Sequence, residues 1–324
     1  MNPGQSIQAA INGAPAGSTI TVKPGTYHEN VWITKNNVKL QGTPGKTILR
    51  PAEGDPTGPC AFPGGDNGDG PPENSGICVI GNFDFSTFTL IAPVKGVSVT
   101  GFTEKNFPNQ GVFVVGGLNT TVSNNIFTNN GGYGVFANTS TNTAIVANSA
   151  SGSSEAGIYV GDSPTANAVI KNNTVFDNGF GIFIRSASHG AITSNNAHDN
   201  CVGILFLNAP NAPENWTVSS NQVNHNNKAC PANGEESPPA SGGGIVLVGA
   251  NNNTFTSNTM NGNAPSGPTF LSGGMVLVLG STGNTVVNNT AHNNLPVDLF
   301  DVSGGANTFV ANHCDASIPP GLCA

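Results

Sequence analysis

The 324-residue sequence predicts an all-β protein, a single-domain right-handed parallel β-helix of about ten coils over residues 1–324. The first observation is an asparagine that returns about every 23 residues, with an apolar residue three positions before it and an apolar or small one two positions after it. Fixed positions at such a period are typical of solenoids, in which each repeat packs only on its neighbours. The anchors are Asn125, Asn148, Asn173, Asn195, Asn221, Asn258, Asn289 and Asn312.

The second observation is a Gly-apolar-x-apolar segment in each coil, clearest at Gly157-Ile-Tyr-Val and Gly181-Ile-Phe-Ile. Alternation with period two predicts short strands with one face in the core. A coil of about 23 residues is too short for a strand and a crossover helix, so it holds three strands joined by turns. Asparagine accepts left-handed backbone at turns, and stacked amides are expected to form a ladder from coil to coil.

Charge and cysteine content limit the partners. The net charge is −8 with ten Lys and Arg, which disfavours a nucleic-acid partner, and no apolar run reaches the length of a membrane span. Six cysteines indicate an oxidising compartment. We therefore expect a secreted protein in which Met1 stands where a signal peptide was removed.

The first 50 residues are expected to form an N-terminal cap and the first coils, with a short amphipathic helix at Ser6–Asn12 that closes the core. The run SIQAAINGAPAGSTITVKPGTYHENVWI resembles the entry segment of pectin-lyase-like β-helix proteins, which include pectinesterases, polysaccharide lyases and NosD-like repeat proteins. The resemblance implies the same fold over almost the whole chain. The catalytic motifs of polygalacturonases, pectinesterases, pectate lyases and alginate epimerases (Asp-Pro-His in the last case) are absent.

Three inserts interrupt the repeat at 51–75, 227–243 and 264–273, and a tail follows at 313–324. All three inserts enter at the turn before the same predicted sheet, so they are expected to form walls on one face. Six cysteines allow 15 pairings. Pairing between neighbours would pin two inserts and the tail, as Cys60–Cys78, Cys201–Cys230 and Cys314–Cys323.

Between the inserts, plain coils carry large side chains at the outward position in the middle of the strand. These are Phe113, Phe136, Tyr159, Phe183 and Leu205. We refer to them as the outer stripe. Three interpretations stay open: a platform on which sugar rings stack, an interface for a homo-oligomer, or a surface that the inserts cover.

Candidate catalytic residues lie beside the outer stripe. Asp177 and Asp199 share one coil position in consecutive repeats, so stacking would bring their backbones to about 5 Å. Such a pair suits acid–base catalysis or Ca²⁺ binding, although Asp is also a common turn residue. Arg185 follows Asp177 on the next strand, and His198 adjoins Asp199.

Glu155 and Asp162 bracket the strand one coil earlier, and we include Glu155 with Phe113, Phe136, Tyr159 and Phe183 as substrate-binding candidates. The predicted function is a polysaccharide lyase, glycoside hydrolase or epimerase acting in a trough on this face, with a polysaccharide or oligosaccharide as partner. The cofactor is expected to be none or Ca²⁺ at Asp177 and Asp199. The alternatives are a non-catalytic carbohydrate-binding module and an assembly protein that uses the apolar sheet.

Overall fold

The computed structural model describes residues 1–54, 58–64, 70–232 and 238–324. Two compact units, Met1–Glu155 and Ala156–Ala324, are described in turn. Each unit is built from three parallel sheets, here called A, B and C, whose strands follow one another along every coil. The all-β parallel β-helix predicted from the repeat is confirmed.

The first unit begins with one short helix, α1 (Ile7–Gly13). Ser6 caps it by accepting the amide of Ala9, and Ile7 and Ile11 are buried. The carboxylate of Glu29 accepts the amides of Ile7 and Gln8 at 2.8 and 3.1 Å, which satisfies amides that have no partner within the helix. The predicted N-terminal helix is confirmed.

The strands of the first unit are β1 (Thr19–Thr21), β2 (Gly25–His28), β3 (Val31–Ile33), β4 (Lys39–Gln41), β5 (Thr47–Arg50), β6 (Ala61–Gly64), β7 (Gly70–Asn74), β8 (Ile77–Ile80), β9 (Asn82–Asp84), β10 (Thr89–Ala92), β11 (Val94–Lys95), β12 (Ser98–Thr100), β13 (Thr103–Lys105), β14 (Val112–Val115), β15 (Gly117–Leu118), β16 (Thr121–Ser123), β17 (Ile126–Thr128), β18 (Tyr133–Asn138), β19 (Ala144–Val146) and β20 (Ser149–Ser151). Sheet A has the order β1-β4-β12-β16-β19, sheet B β2-β5-β13-β17-β20, and sheet C β3-β8-β14-β18. Two antiparallel hairpins, β6–β7 and β9–β10, and a parallel pair, β11–β15, form separate two-stranded sheets.

The strands of the second unit are β21 (Ala156–Ser163), β22 (Ala168–Lys171), β23 (Thr174–Phe176), β24 (Phe180–Ala187), β25 (Gly190–Thr193), β26 (Asn196–His198), β27 (Val202–Leu207), β28 (Trp216–Ser219), β29 (Gln222–Asn224), β30 (Gly243–Val248), β31 (Thr254–Thr256), β32 (Thr259–Asn261), β33 (Gly273–Val278), β34 (Thr285–Val287), β35 (Thr290–His292), β36 (Leu299–Asp301), β37 (Thr308–Val310), β38 (His313–Cys314) and β39 (Ser317–Ile318). Sheet A has the order β22-β25-β28-β31-β34-β37, sheet B β23-β26-β29-β32-β35-β38, and sheet C β21-β24-β27-β30-β33-β36-β39. The core lies between the three sheets, where Ile170, Ile182 and Val218 are fully buried.

Two asparagine ladders run along the second unit at the turns that flank sheet B. In the first, the backbone and side-chain amides of Asn173 donate to Asn195 Oδ1 at 2.9 and 3.0 Å, and Asn195 repeats this with Asn221. The ladder predicted at the anchors is thus confirmed. The left-handed backbone, however, lies at the residue before each anchor, such as Asn172 or Ser194, and not at the anchor itself. The anchor points its side-chain amide into the core.

The glycines near the start of β24 and β27, Gly181 and Gly203, are required by the second ladder. A Cβ at Gly181 would stand 2.4 Å from the carbonyl oxygen of Gly203 and 3.0 Å from Asn200 Nδ2. Gly203 meets Asn226 in the same way. A side chain at these positions would therefore separate the coils.

The cysteines form three disulfides between neighbours in the sequence, Cys60–Cys78, Cys201–Cys230 and Cys314–Cys323, as predicted. Parts of two predicted inserts, residues 55–57, 65–69 and 233–237, lie outside the described residues. Within the described residues, no helix combines the length and apolar character needed to cross a membrane.

Candidate functional site

The outer face of sheet C in the second unit carries three residues of the outer stripe, Tyr159, Phe183 and Leu205, in register on β21, β24 and β27. The rings of Tyr159 and Phe183 meet edge to face at 5.3 Å, and Phe180 packs on Phe183 at 5.2 Å. Only 2% of Tyr159 and 7% of Phe183 is exposed. These rings cover one another and their neighbours, which agrees with the covered surface among the three interpretations of the outer stripe.

The hydroxyl of Tyr159 is held between two charged side chains. It lies over Gly161, in the space that a Cβ would need, and it hydrogen-bonds to Asp162 and Arg185. Burial raises the pKa of Tyr159 well above its ordinary value, and the charge of Asp162 raises it further, while Arg185 opposes both effects. The phenol is therefore neutral and keeps its proton at physiological pH.

Strand register brings these groups together. Gly161 pairs with Arg185 on the next strand, so the absence of a side chain at Gly161 leaves room for the tyrosine to reach the guanidinium. Asp162 has left-handed backbone with a φ of 46°, at the end of the same strand. Asp162 and Arg185 are both half-buried, whereas Tyr159 is buried. The cluster thus presents an acid and a cation towards solvent above a buried phenol.

Asp177 lies in the turn between β23 and β24, not on the outer stripe. It is exposed and left-handed, with a φ of 55°. Lys228, at the start of the 227–243 insert, contacts Asp177 Oδ1 at 2.9 Å and donates to its carbonyl oxygen at 2.7 Å. This ion pair, with the Cys201–Cys230 disulfide, ties the insert to the coils beneath it.

Asp199 occupies the equivalent exposed turn one coil later, with a φ of 56°. Its Oδ2 lies 2.7 Å from His198 Nδ1, and the His198 ring stacks on Phe176 at 5.3 Å. Asp177 and Asp199 thus each contact a basic partner of their own. Both also supply the left-handed residue directly before an asparagine of the second ladder, and their catalytic and Ca²⁺-binding roles stay predictions.

In the first unit, Phe113 and Phe136 stack at 5.5 Å with an interplanar angle of 13°. Phe113 is 8% exposed and belongs to a buried cluster with the Cys60–Cys78 disulfide and Phe83. Phe136 is partly buried against this cluster. The outer stripe is thus covered here as well. Glu155 is half-buried, and burial raises its pKa.

His292, Asp298 and Asp315 bring potential metal-binding atoms within 4.8 Å of one another. Asp298, however, has a structural role that uses both oxygens. Oδ1 accepts the backbone and side-chain amides of Asn294 at 3.0 and 2.8 Å, and Oδ2 accepts the amides of Asp315 and Ala316 at 2.9 and 3.2 Å. A carboxylate therefore ends the second ladder where the next asparagine would stand.

The sequence predicted Arg185 as a catalytic residue and Tyr159 as a substrate-binding residue, without a contact between them. Asp162 was noted beside the same strand but was not assigned a role. The signal that links them is the Tyr-x-Gly-Asp spacing of 159–162, in which glycine leaves room for the phenol. Lys228 was missed, because its contact with Asp177 spans 51 positions of the chain.

The family model of the right handed beta helix region matches residues 110–291, more than half of the chain. No curated protein matches the sequence. Among solved structures, the chain is similar to the A-module of mannuronan C-5 epimerase AlgE4 from Azotobacter vinelandii, with 16% identity, a TM-score of 0.66, and coverage of 96% of this chain and 88% of that one.

A second similar structure is the catalytic unit of the thermostable GH87 alpha-1,3-glucanase from Streptomyces thermodiastaticus strain HF3-3. The identity is 18% and the TM-score 0.60, over 100% of this chain and 64% of that one. At identities this low, both likenesses concern the fold.

Proposed function

The chain belongs to the right-handed β-helix family, and on this premise we propose that it is a secreted polysaccharide lyase that cleaves a uronate-containing chain at Tyr159, Asp162 and Arg185. The observation that carries the proposal is the buried phenol hydrogen-bonded to one carboxylate and one guanidinium on the outer face of sheet C. Three disulfides agree with an oxidising compartment.

Arg185 is the substrate-binding group in this proposal. A guanidinium presents paired donors that match a carboxylate, and half-burial strengthens the pair relative to one in open water. The guanidinium would offset the negative charge of a uronate carboxylate bound there. This makes the hydrogen on the adjacent carbon C-5 easier to remove, because the developing charge spreads into the carboxyl group.

Asp162 supplies the proton transfers. The carboxylate of Asp162 accepts the C-5 proton, the C4–C5 double bond forms, and the bond from C-4 to the glycosidic oxygen breaks. Asp162 then gives that proton to the leaving oxygen, which restores the carboxylate without an external reactant. The buried hydroxyl of Tyr159 holds Asp162 in position through their hydrogen bond.

The arrangement favours elimination over epimerisation. One carboxyl group that accepts the C-5 proton and then protonates the leaving oxygen approaches the sugar from one side, which suits removal of the proton and the leaving group on the same face. Epimerisation needs a donor on the opposite face of C-5. The similar structures are named as an epimerase of mannuronan and a glucanase, so polysaccharides as substrates agree with the names of both.

The test is a panel of uronate polysaccharides and neutral glucans, followed by the absorbance of unsaturated uronate, by released reducing ends, and by NMR for altered C-5 configuration. We expect unsaturated products from a uronate polysaccharide. Tyr159→Phe keeps the ring packing on Phe183 but removes the hydrogen bond that holds Asp162, so it is expected to lower turnover by up to about 10²-fold. Arg185→Lys is expected to raise KM, because a lysine lacks the paired donors.

Matched controls are Tyr27→Phe and Arg50→Lys in the first unit, which should leave turnover unchanged. Asp199→Asn separates this site from the other candidate acids. If Asp199→Asn abolishes turnover and Tyr159→Phe does not, the active site lies at Asp177, Asp199 and His198. If no polysaccharide is turned over but binding depends on Tyr159, the chain is a binding module and the lyase proposal fails.

A further inference from the structure

An aromatic hairpin projects from the first unit between β8 and β11. Its strands β9 and β10 pair antiparallel, with Thr89 opposite Asp84 and Ala92 opposite Asn82. Phe83 is buried at its base against the cluster that contains the Cys60–Cys78 disulfide. The hairpin is therefore anchored to the covered face of sheet C and carries its remaining apolar residues outward.

Two further rings of the hairpin face solvent. Phe88 is 70% exposed and Phe85 38% exposed, and both pack on Phe83, with ring centroids at 5.6 and 4.9 Å. Ile91 on the outgoing strand is also exposed. Exposed apolar groups that cluster in this way are typical of a contact surface rather than of scattered surface residues.

The conformation of Phe88 adds an independent observation. Its φ is +52°, a left-handed value that a bulky side chain adopts only at an energetic cost. The residue is thus unfavourable in two respects, since it exposes a phenyl ring and holds strained backbone. Strain kept at an exposed position points to a function of the side chain, because folding alone would favour glycine there.

The turn that presents Phe88 is closed by hydrogen bonds to one carboxylate. Asp84 Oδ1 accepts the amide and hydroxyl of Ser86 at 2.9 and 2.6 Å, and Oδ2 accepts the hydroxyl of Thr87 at 2.8 Å. These hydrogen bonds lower the pKa of Asp84, so the turn keeps its negative charge over a wide pH range. A ring on such a turn is held in place before any ligand arrives.

A cavity of about 430 Å³ opens at the base of the same hairpin. Asn82 and Ala92, the last pair of the hairpin, line it with Thr34, Asn36 and Pro93. The described lining combines apolar surface with amide and hydroxyl groups and contains no charged side chain. Phe85 follows the lining residue Asn82 by three positions, which is about 10 Å of extended chain.

We propose that the cavity and the hairpin rings form a binding site for a neutral oligosaccharide, separate from the chemistry at Tyr159. One sugar unit occupies the cavity, where amide and hydroxyl groups meet its hydroxyls, and a neighbouring unit lies with its apolar face on Phe88. The uncharged lining and the negative charge of Asp84 disfavour a uronate here. The site holds a chain and does not cleave it.

The experiment is calorimetric titration of the intact protein with hexasaccharides of β-1,4-, β-1,3- and α-1,3-linked glucose, and with a hexa-uronate for comparison. We expect one of the neutral hexasaccharides to bind and the uronate not to compete for the site. Phe88→Ala is expected to weaken that binding about tenfold, the loss typical of one removed aromatic contact. Phe270→Ala, a 67% exposed phenylalanine of the second unit, is the matched control and should bind normally.

Phe88→Gly gives a second readout that a merely structural role would not produce. It is expected to raise the melting temperature, because glycine adopts the left-handed backbone freely, and at the same time to lose binding. Binding unaffected by Phe88→Ala, or no binding of any neutral hexasaccharide, overturns the proposal. So does a change of oligomeric state with Phe88→Ala, since the rings would then join copies of the chain. Because the assay uses no uronate turnover, its failure is distinct from failure of the lyase proposal.

Discussion

Replacement of Glu104 with glutamine is expected to stabilise the protein at neutral pH and to leave its stability at pH 4.5 almost unchanged. Glu104 lies on β13, in register with Leu49 of β5 and Phe127 of β17, both of which are fully buried. Its own side chain is 0% exposed, and neither carboxyl oxygen has a hydrogen-bond partner among the described residues. A carboxyl group in this position is costly to ionise.

The sign of the effect follows from the proton balance. Burial raises the pKa of Glu104 well above its ordinary value, so the folded state holds a proton that the unfolded state has released. The free energy of unfolding therefore falls as pH rises, by about 1.4 kcal/mol per pH unit. The fall begins near the ordinary glutamate pKa and ends where the buried carboxyl finally ionises. Glutamine has the same shape without a charge, so this component of the pH dependence is lost.

The assay is chemical unfolding of both proteins at half-unit steps from pH 4.5 to 8, with the difference in unfolding free energy plotted against pH. Other ionisable groups cancel in this difference. Glu53→Gln, at an exposed position, is the matched control and should give a flat line. A flat line for Glu104→Gln as well would refute the argument, since the buried carboxyl would then not be the proton-binding group described here.

Two further predictions concern the second unit. Asn173→Leu is expected to lower the free energy of unfolding by about 1–3 kcal/mol, because its buried amide partners lose their hydrogen bonds. Asn252→Gly, at an exposed left-handed position, should cost far less, and equal losses in denaturant titrations would contradict the ladder argument. If Ca²⁺ binds at Asp177 and Asp199, it must displace Lys228 from Asp177. Lys228→Met is therefore expected to bind Ca²⁺ more tightly than the wild type by calorimetry, and no binding by either protein would eliminate this site.

The repeat, the strands, the glycine column and the asparagine ladders could be predicted from the sequence. Each coil contacts only its neighbours, so the same local requirement returns at every period and leaves the same residue type in one column. Asn173 and Asn195 are needed for the same hydrogen bonds, and Gly181 and Gly203 for the same lack of space. The short helix at Ile7–Gly13 and the cysteine pairs are local for a similar reason, since their partners lie in neighbouring segments.

Only the tertiary structure decided which outward-facing side chains are buried and which residues they contact. The alternation that placed Tyr159 and Phe183 outward contains no information on what covers them, and the side chains of adjacent coils bury both rings. The direction of Tyr159 towards Asp162 and Arg185 depends on a rotamer and on the space above Gly161. Lys228 reaches Asp177 because an irregular insert folds back across the coils. The repeat period cannot predict such a contact, because the insert does not follow the repeat.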